Sequence, residues 1–228
     1  MVERLTTRQT ERGALDRLAD MAGESVACGD GMTEEIRRAL SACIDAVIPT
    51  MFRAQQPWAV MGSTASVLQG ICGYTPPDID LVTTRDGAYI MSGSIGGLGA
   101  TVRQVGYSES DRYASHFGIF EVLDVKVEVM GDLVIRVADG QIDATEHFAC
   151  WSDKVRLIHF EEHHIPVVPL EWQMIANVLL SRPERSTGIA DHLLTQGFDR
   201  AYLEALLADR GHGERTIATV REMMRLDD

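Results

Sequence analysis

The sequence lacks the segments that would take a chain into or across a membrane. No apolar run approaches the roughly 18–20 residues that a membrane-spanning helix requires. The N-terminal stretch MVERLTTRQTERGALDRLAD is polar and has no apolar signal-peptide core. We therefore expect a soluble, cytoplasmic protein without a membrane partner.

Cysteine and basic residues are also scarce. The four cysteines form no C-x-x-C pair, so neither a zinc ribbon nor a disulfide framework is indicated. We expect small buried thiols at Cys28, Cys43, Cys72 and Cys150. The 21 Lys and Arg residues are outnumbered by 34 Asp and Glu residues, which gives a formal net charge of −13. Such a surface repels polyanions unless basic residues cluster locally, so general nucleic-acid binding is disfavoured.

The remaining composition is typical of a globular α/β protein with helical ends. With 228 residues, of which 45% are hydrophobic, the chain is long enough to bury a core. The pattern divides it into a helical extension over residues 1–55, an α/β core over 56–168 and a helical region over 169–228 that packs on the core.

Helix signals are clearest on either side of this core. Residues 1–25 carry a sparse apolar stripe, which suits a surface helix or a frayed arm. Thr33 precedes a helix that we expect to end near Pro49. Helical spacing returns over residues 170–181, 183–195, 199–208 and 212–225. The first of these stretches carries an apolar stripe that predicts core packing, namely Trp172, Met174, Ile175 and Leu179.

Three strands stand out in the centre of the chain. The first, Trp58–Met61, runs into Gly62-Ser63 and a short helix, and the second, Asp78–Val82, bears two aspartates. The clearest alternation lies at Asp124–Val129, where three valines share one face and the charged residues share the other. We expect further strands over residues 101–106, 116–122 and 155–160.

Carboxylates of two of these strands can converge on one face. Asp78 and Asp80 point to the same side of an extended chain, and Glu128 joins them if its strand lies alongside in register. Three carboxylates repel one another unless a cation lies between them, and Mg²⁺ prefers such hard oxygen ligands together with substrate phosphates. A pair of such ions can hold the attacking and leaving oxygens of a phosphoryl displacement.

The Gly62-Ser63 turn supplies the second half of a nucleotide site. A turn without a side chain at a helix N-terminus lets backbone N–H groups and the Ser63 hydroxyl approach a triphosphate. The pattern therefore predicts a nucleotide site without a Walker-type loop.

These residues resemble the nucleotidyltransferase-fold superfamily, whose pattern is a hydrophobic strand, Gly-Ser or Gly-Gly, a short helix and Asp-x-Asp on the next strand. The resemblance lies in WAVMGSTASVLQG followed by PPDIDLVTT. The later stretches HFGIFEVLDVKVEVMGDL and IPVVPLEW are similar to the small stand-alone bacterial and archaeal members. The family resemblance covers roughly residues 57–196 and leaves the first fifty or so residues unexplained.

The resemblance implies an α/β (α+β) fold with a mixed central sheet flanked by helices, N-terminal helices and a helical C-terminal tail. It also implies that Asp78, Asp80 and Glu128 form the catalytic metal triad and that Gly62 and Ser63 contact the triphosphate. The implied cofactor is Mg²⁺, with Mn²⁺ as an alternative, and the substrate is a nucleoside triphosphate.

The sequence departs from the family pattern at three places. Fourteen residues separate Ser63 from Asp78, slightly more than is usual in the family. Asp124 shares a strand face with Glu128 but lies about 13 Å away at ~3.3 Å per residue, and we choose Glu128 because Asp124 falls where a hairpin turn is expected. The tail after residue 154 contains no lysine for the triphosphate, so Arg182 or Arg185 would have to substitute.

Other polar residues near the motifs have two interpretations each. Lys126 either neutralises the carboxylates or contacts a phosphate. His116 could reach the site as a base, but a hydrogen-bonded structural histidine is favoured. The polar cluster His159, Glu161, Glu162, His163 and His164 suits a solvated turn better than a zinc site. The glycines at 93–99 follow a helical run instead of a strand, so a dinucleotide loop is rejected.

The functional prediction is a Mg²⁺-dependent nucleotidyltransferase that acts on a hydroxyl or amine acceptor. The acceptor could be a small molecule such as an aminoglycoside-like or lincosamide-like drug, a protein or an RNA end. The alternative is a catalytically silent nucleotide-binding or partner-binding module of the same fold, similar to one half of a toxin–antitoxin pair. A metal-dependent hydrolase is a third interpretation, and a protein partner or a homo-oligomer is compatible with each.

Overall fold

The computed structural model describes residues 31–145, 154–209 and 211–227. Its helices are α1 (Glu34–Ala54), α2 (Gly62–Leu68), α3 (Arg85–Gly96), α4 (Leu170–Leu179), α5 (Pro183–Gln196), α6 (Arg200–Leu207) and α7 (Glu214–Met223). Its strands are β1 (Trp58–Met61), β2 (Ile79–Thr83), β3 (Thr101–Glu109), β4 (Tyr113–Val122), β5 (Val125–Val137), β6 (Gly140–Asp143), β7 (Arg156–Phe160) and β8 (His163–Val167).

All of these strands belong to one mixed sheet. The strand order is β3-β4-β5-β2-β1-β8-β7, and β6 pairs with β5. The β2–β5 and β1–β8 pairs are parallel, whereas β1–β2, β3–β4, β4–β5, β5–β6 and β7–β8 are antiparallel. Strand β2 therefore lies between β1 and β5, at the centre of the sheet.

Helices cover the sheet on both faces. On one face α1 and α3 pack on fully buried side chains such as Val127 and Val129 of β5. On the other face the C-terminal helices pack around Trp172, which is fully buried on α4. Met174, Ile175 and Leu179 are buried as well, which confirms the apolar stripe predicted from their spacing. Among the described helices, none is long and apolar enough to cross a membrane.

Helix α1 begins as predicted but ends later. The Thr33 side chain accepts a hydrogen bond from the Ile36 N–H, which fixes the N-terminus. The expected end near Pro49 is wrong, because the helix continues to Ala54 with Pro49 inside it. Val47 and Met51 are fully buried on either side of the proline, so packing of the last turn holds the helix together across the missing N–H.

Strand β5 shows the alternation that the sequence predicted. Val125, Val127 and Val129 are buried, whereas Lys126 and Glu128 lie on the opposite face. Asp124 lies in the turn between β4 and β5 with a positive φ of 65°, which confirms its expected place in a hairpin turn.

Several other expectations need correction. Cys43 is buried as predicted, but the expected buried thiol is wrong at Cys72, which is exposed in the loop after α2 and disulfide-bonded. Cys28, Cys150 and the stretch 1–25 lie outside the described residues. The cluster around residue 160 is not one solvated turn, since His163 and His164 begin β8 and His163 bonds Asp45 at 2.8 Å. Strand β6 was also not predicted, because its four residues carry too short a pattern.

Candidate active site

The two central strand pairings bring the motifs together. In the antiparallel β1–β2 pair Met61 lies opposite Asp80, and in the parallel β2–β5 pair Asp80 lies opposite Glu128. The glycine turn that follows Met61 is therefore next to Asp80, which is next to Glu128. Thr64 in α2 donates a hydrogen bond to the carbonyl of Asp78 at 2.7 Å, so the short helix is tied to the start of the aspartate strand.

Carboxylate oxygens of Asp78, Asp80 and Glu128 lie within 4.8 Å of one another. Among the described residues, this is the one group of three or more potential metal-ligating side chains that lie so close together. The side chains of Asp78 and Glu128 are 23% and 29% exposed, so a cation and its remaining ligands could enter from solvent. Oxygen ligands at this spacing suit a hard divalent cation such as Mg²⁺.

The convergence of negative charge changes the protonation of the aspartates. Burial, together with the charges of Asp78 and Glu128, raises the pKa of Asp80 to about 7. Burial also raises the pKa of Asp78, although the nearby Lys126 ammonium opposes the shift. An ionised Asp80 is therefore unfavourable near neutral pH unless a cation neutralises the cluster.

Lys126 provides part of this neutralisation. Its Nζ lies 2.7 Å from Oε2 of Glu128 and 3.9 Å from Oδ2 of Asp78. Burial lowers the pKa of Lys126, but the hydrogen bond to Glu128 and the charges of the three acids outweigh this effect, so its pKa is raised. One half-exposed ammonium compensates one of the three negative charges, which leaves an attractive site for a further cation.

Gly62 is required by both its conformation and its surroundings. Its φ of +69° lies in the left-handed region, and a Cβ built on it would come within 3.0 Å of the carboxylate oxygen Oδ2 of Asp80. Met61 provides no side-chain cap for α2, so the helix begins without a protein side chain on its first N–H groups. The absence of a side chain at position 62 thus lets Asp80 and the turn lie against each other.

An open cleft lies beside the carboxylates and holds residues that the sequence did not identify as a group. Gly62, Ser63 and Asp80 form one wall, and residues from α4, α5 and the loop after α2 form the other. The polar side chains of that second wall are Tyr74, Gln173, Asn177, Arg182 and Arg185. Arg182 and Arg185 could be anticipated from the sequence, because the tail after residue 154 contains no lysine to contact the triphosphate. Tyr74, Gln173 and Asn177 belong to no sequence motif.

One other sequence candidate, His116, lies away from this cluster. On β4, Ile119 lies opposite Glu128 and His116 lies opposite Gly131. His116 and Ile119 are an odd number of residues apart on this strand, so their side chains point to opposite faces. His116 is therefore on the opposite face of the sheet, where its Nδ1 lies 2.9 Å from the hydroxyl of Tyr89. The favoured structural role of His116 agrees with this position.

The raised pKa of Asp80 predicts how the stability of the metal-free protein depends on pH. The folded state holds the Asp80 proton up to about pH 7, whereas an unfolded Asp loses it near 3.8. This contribution to stability is therefore present below about pH 4 and is lost as the pH rises through 7. We expect the free energy of unfolding to fall by on the order of 2–3 kcal/mol from pH 5 to pH 8, relative to Asp80→Asn.

Denaturant unfolding in the presence of a chelator, at both pH values and on both proteins, measures this difference. The Asn variant controls for all other titrating groups, because it keeps the side-chain shape. An equal pH dependence of the two proteins would mean that the Asp80 carboxylate is ionised in the folded state at pH 5.

Comparison with known proteins supports the fold. No protein-family model and no curated protein matches the chain. Among solved structures it is similar to a candidate nucleotidyltransferase from Thermotoga maritima, with 27% sequence identity and a TM-score of 0.53. That match covers 69% of this chain and 94% of the Thermotoga chain.

Two further solved structures are more distant. ANT(2'')-Ia in complex with adenylyl-2''-tobramycin shares 12% identity at a TM-score of 0.43, over 78% of this chain and 95% of that one. The lincosamide antibiotic adenylyltransferase LnuA shares 11% identity at a TM-score of 0.42, over 70% and 98%. These overlaps are too weak to indicate a substrate.

The mixed sheet, the flanking helices and the Thermotoga match agree with the fold that the Gly-Ser and Asp-x-Asp motifs implied. The chain is therefore a member of the nucleotidyltransferase-fold superfamily.

Proposed function

We propose that the protein is a Mg²⁺-dependent nucleotidyltransferase that transfers a nucleoside monophosphate from a nucleoside triphosphate to a hydroxyl or amine acceptor. The observation that carries the proposal is the convergence of Asp78, Asp80 and Glu128 beside a glycine turn that leaves no space for a side chain. An anionic cluster next to an uncapped helix start suits a ligand with both divalent cations and phosphates.

The residues of the chain have separate roles in this proposal. Asp78 and Asp80 would hold one divalent ion, and Glu128 would hold a second ion or accept the proton of the acceptor. Bound Mg²⁺, or Mn²⁺ in its place, neutralises charge on the reacting phosphate. The acceptor oxygen or nitrogen forms a bond to the α-phosphorus, the bond to the bridging oxygen breaks, and pyrophosphate leaves. Positioning and charge neutralisation account for most of the rate.

The phosphates would lie between the glycine turn and the start of α5. Ser63 lines the cleft on one side, although its side chain is largely buried. On the other side Arg182 and Arg185 flank the N-terminus of α5, which has no side-chain cap. Two guanidinium groups and a helix N-terminus attract the β- and γ-phosphates. Lys126 would be free to contact a phosphate once an ion neutralises Glu128.

We expect Arg185→Gln to weaken binding of a nucleoside triphosphate by about 10- to 100-fold, because a hydrogen bond to a charged group contributes roughly 1.5–3 kcal/mol. Binding of the corresponding nucleoside monophosphate should weaken less, since the β- and γ-phosphates are absent. Calorimetric titration of both nucleotides with Mg²⁺ measures the two effects.

Arg53→Gln is the matched control, because Arg53 is exposed in the last turn of α1, outside the cleft. An equal loss of affinity for both nucleotides, or no loss for either, would place the triphosphate elsewhere.

A further inference from the structure

Strand β3 is an open edge of the sheet. It is the outermost strand beyond β4, and eight of its nine residues are exposed while Gly106 is half-buried. Its sequence TVRQVGYSE contains neither proline nor lysine, the residues that often protect such edges from pairing.

The direction of the backbone groups on this edge follows from the hairpin. The Ser110 N–H donates to the carbonyl of Tyr113 at 2.7 Å, and the same register continues through Ser108 opposite Ser115 and Gly106 opposite Phe117. In an antiparallel pair the hydrogen-bonded positions alternate. The N–H and C=O groups of Val105 and Tyr107, which lie between the bonded positions, therefore point away from β4 to the open side.

An apolar patch accompanies this edge on the face that α3 covers. Val102, Val105 and Tyr107 pair with residues on that face of β4 and are 53%, 43% and 55% exposed. Tyr89 of α3 and Leu98 after it are also exposed. The His116 ring lies between Tyr89 and Tyr107, at centroid distances of 5.6 and 4.9 Å. These five exposed side chains form the β3 patch, and exposed apolar groups of this extent mark interaction surfaces.

The charge around the β3 patch differs from that of the whole chain. Arg103 pairs with Glu121 at one end of the strand, and Arg136 pairs with Glu109 at 3.0 Å at the other. These pairs neutralise the edge locally, although the chain has a net charge of −13. Two copies of the acidic chain can therefore approach here with less repulsion than elsewhere.

We propose that β3 pairs in antiparallel fashion with β3 of a second copy, about a two-fold axis at Gly106. In this register Val105 of each copy lies opposite Tyr107 of the other, which makes two equivalent β-branched–aromatic pairs. The strand is thus complementary to itself, as a two-fold interface requires.

The proposed pairing has a consequence for the arrangement of the two active sites. A two-fold axis perpendicular to the sheet keeps the same face of both copies on the same side. The two Glu128 residues would lie five strand spacings apart across the sheet, which is roughly 24 Å measured perpendicular to the strands at ~4.8 Å per spacing. Both carboxylate clusters would then open on one side of a continuous sheet.

Sedimentation velocity over a micromolar concentration series, with intact protein, tests this proposal. We expect the wild type to sediment at twice the chain mass of 25.1 kDa and Val105→Pro to sediment as a monomer. Proline removes an N–H that points away from β4, so the β3–β4 pairing can persist. Tyr107→Lys is a second variant that places like charges in the interface, and circular dichroism verifies that both variants are folded.

Phe52→Lys is the matched control, since Phe52 is 84% exposed on α1 and outside the β3 patch, and it should remain dimeric. A monomeric wild type at all concentrations, or a dimer that both β3 variants leave intact, would overturn the proposal. Nucleotide binding by the monomeric variants should be unchanged, so the proposal is independent of the proposed function.

Discussion

Asp80→Asn is expected to weaken binding of Mg²⁺ with a nucleoside triphosphate by at least ~100-fold, because it removes a central ligand of the cluster. Even loss of a residue that only supports a metal ligand lowers metal affinity by roughly 10- to 100-fold. Asp80 has two carboxylate neighbours, Asp78 immediately before its strand and Glu128 across the parallel pair. The amide keeps the shape but removes the charge that the cation requires. Calorimetric titration of nucleotide in the presence of Mg²⁺ measures the loss.

Asp124→Asn is the matched control for this substitution. It removes one carboxylate from the same hairpin that carries Glu128, but Asp124 lies in the β4–β5 turn at the end of that strand. Binding should therefore stay at the wild-type level. If Asp80→Asn bound nucleotide as well as the wild type, or Asp124→Asn lost binding, the assignment of the metal ligands would be wrong.

Gly62→Ala is expected to have the second largest effect. The new methyl group would overlap the Asp80 carboxylate, and alanine at a φ of +69° is strained. We expect a loss of stability of roughly 1–3 kcal/mol. Displacement of Asp80 should also reduce nucleotide binding by about as much as Asp80→Asn does.

Gly73→Ala separates the effect of backbone strain from the effect of the contact with Asp80. Gly73 has a φ of +98°, but a Cβ there would meet nothing within 4 Å. This variant should share the backbone strain and retain nucleotide binding. Equal binding by both alanine variants, measured with thermal unfolding alongside, would show that the contact between position 62 and Asp80 has no part in the site.

The carboxylate cluster could be anticipated from sequence because it depends on short-range patterns. Period-two alternation puts Asp78 and Asp80 on one side of their strand, and the valines of β5 fix the face of Glu128. The motif resemblance then suggested that the two strands are neighbours. The β2–β5 pairing meets this expectation with Asp80 directly opposite Glu128.

Features that depend on packing between distant segments could not be anticipated. The close approach of Gly62 to Asp80 results from the antiparallel β1–β2 register, about which the separate motifs say nothing. Asn177 reaches the cleft only because α4 packs over the sheet, and Tyr74 reaches it from the loop after α2. The extension of α1 beyond Pro49 likewise depends on burial of Met51, which overrides the local effect of proline.

The most direct test of nucleotidyl transfer is to follow separate labels on the α- and γ-phosphates of each nucleoside triphosphate, with Mg²⁺ and a panel of hydroxyl and amine acceptors. We predict that the α-label becomes attached to an acceptor, that the γ-label leaves in pyrophosphate, and that Asp80→Asn does neither. Transfer of the γ-label would indicate a kinase. Tight nucleotide binding without release of pyrophosphate under any condition would contradict the proposed activity and favour a silent binding module.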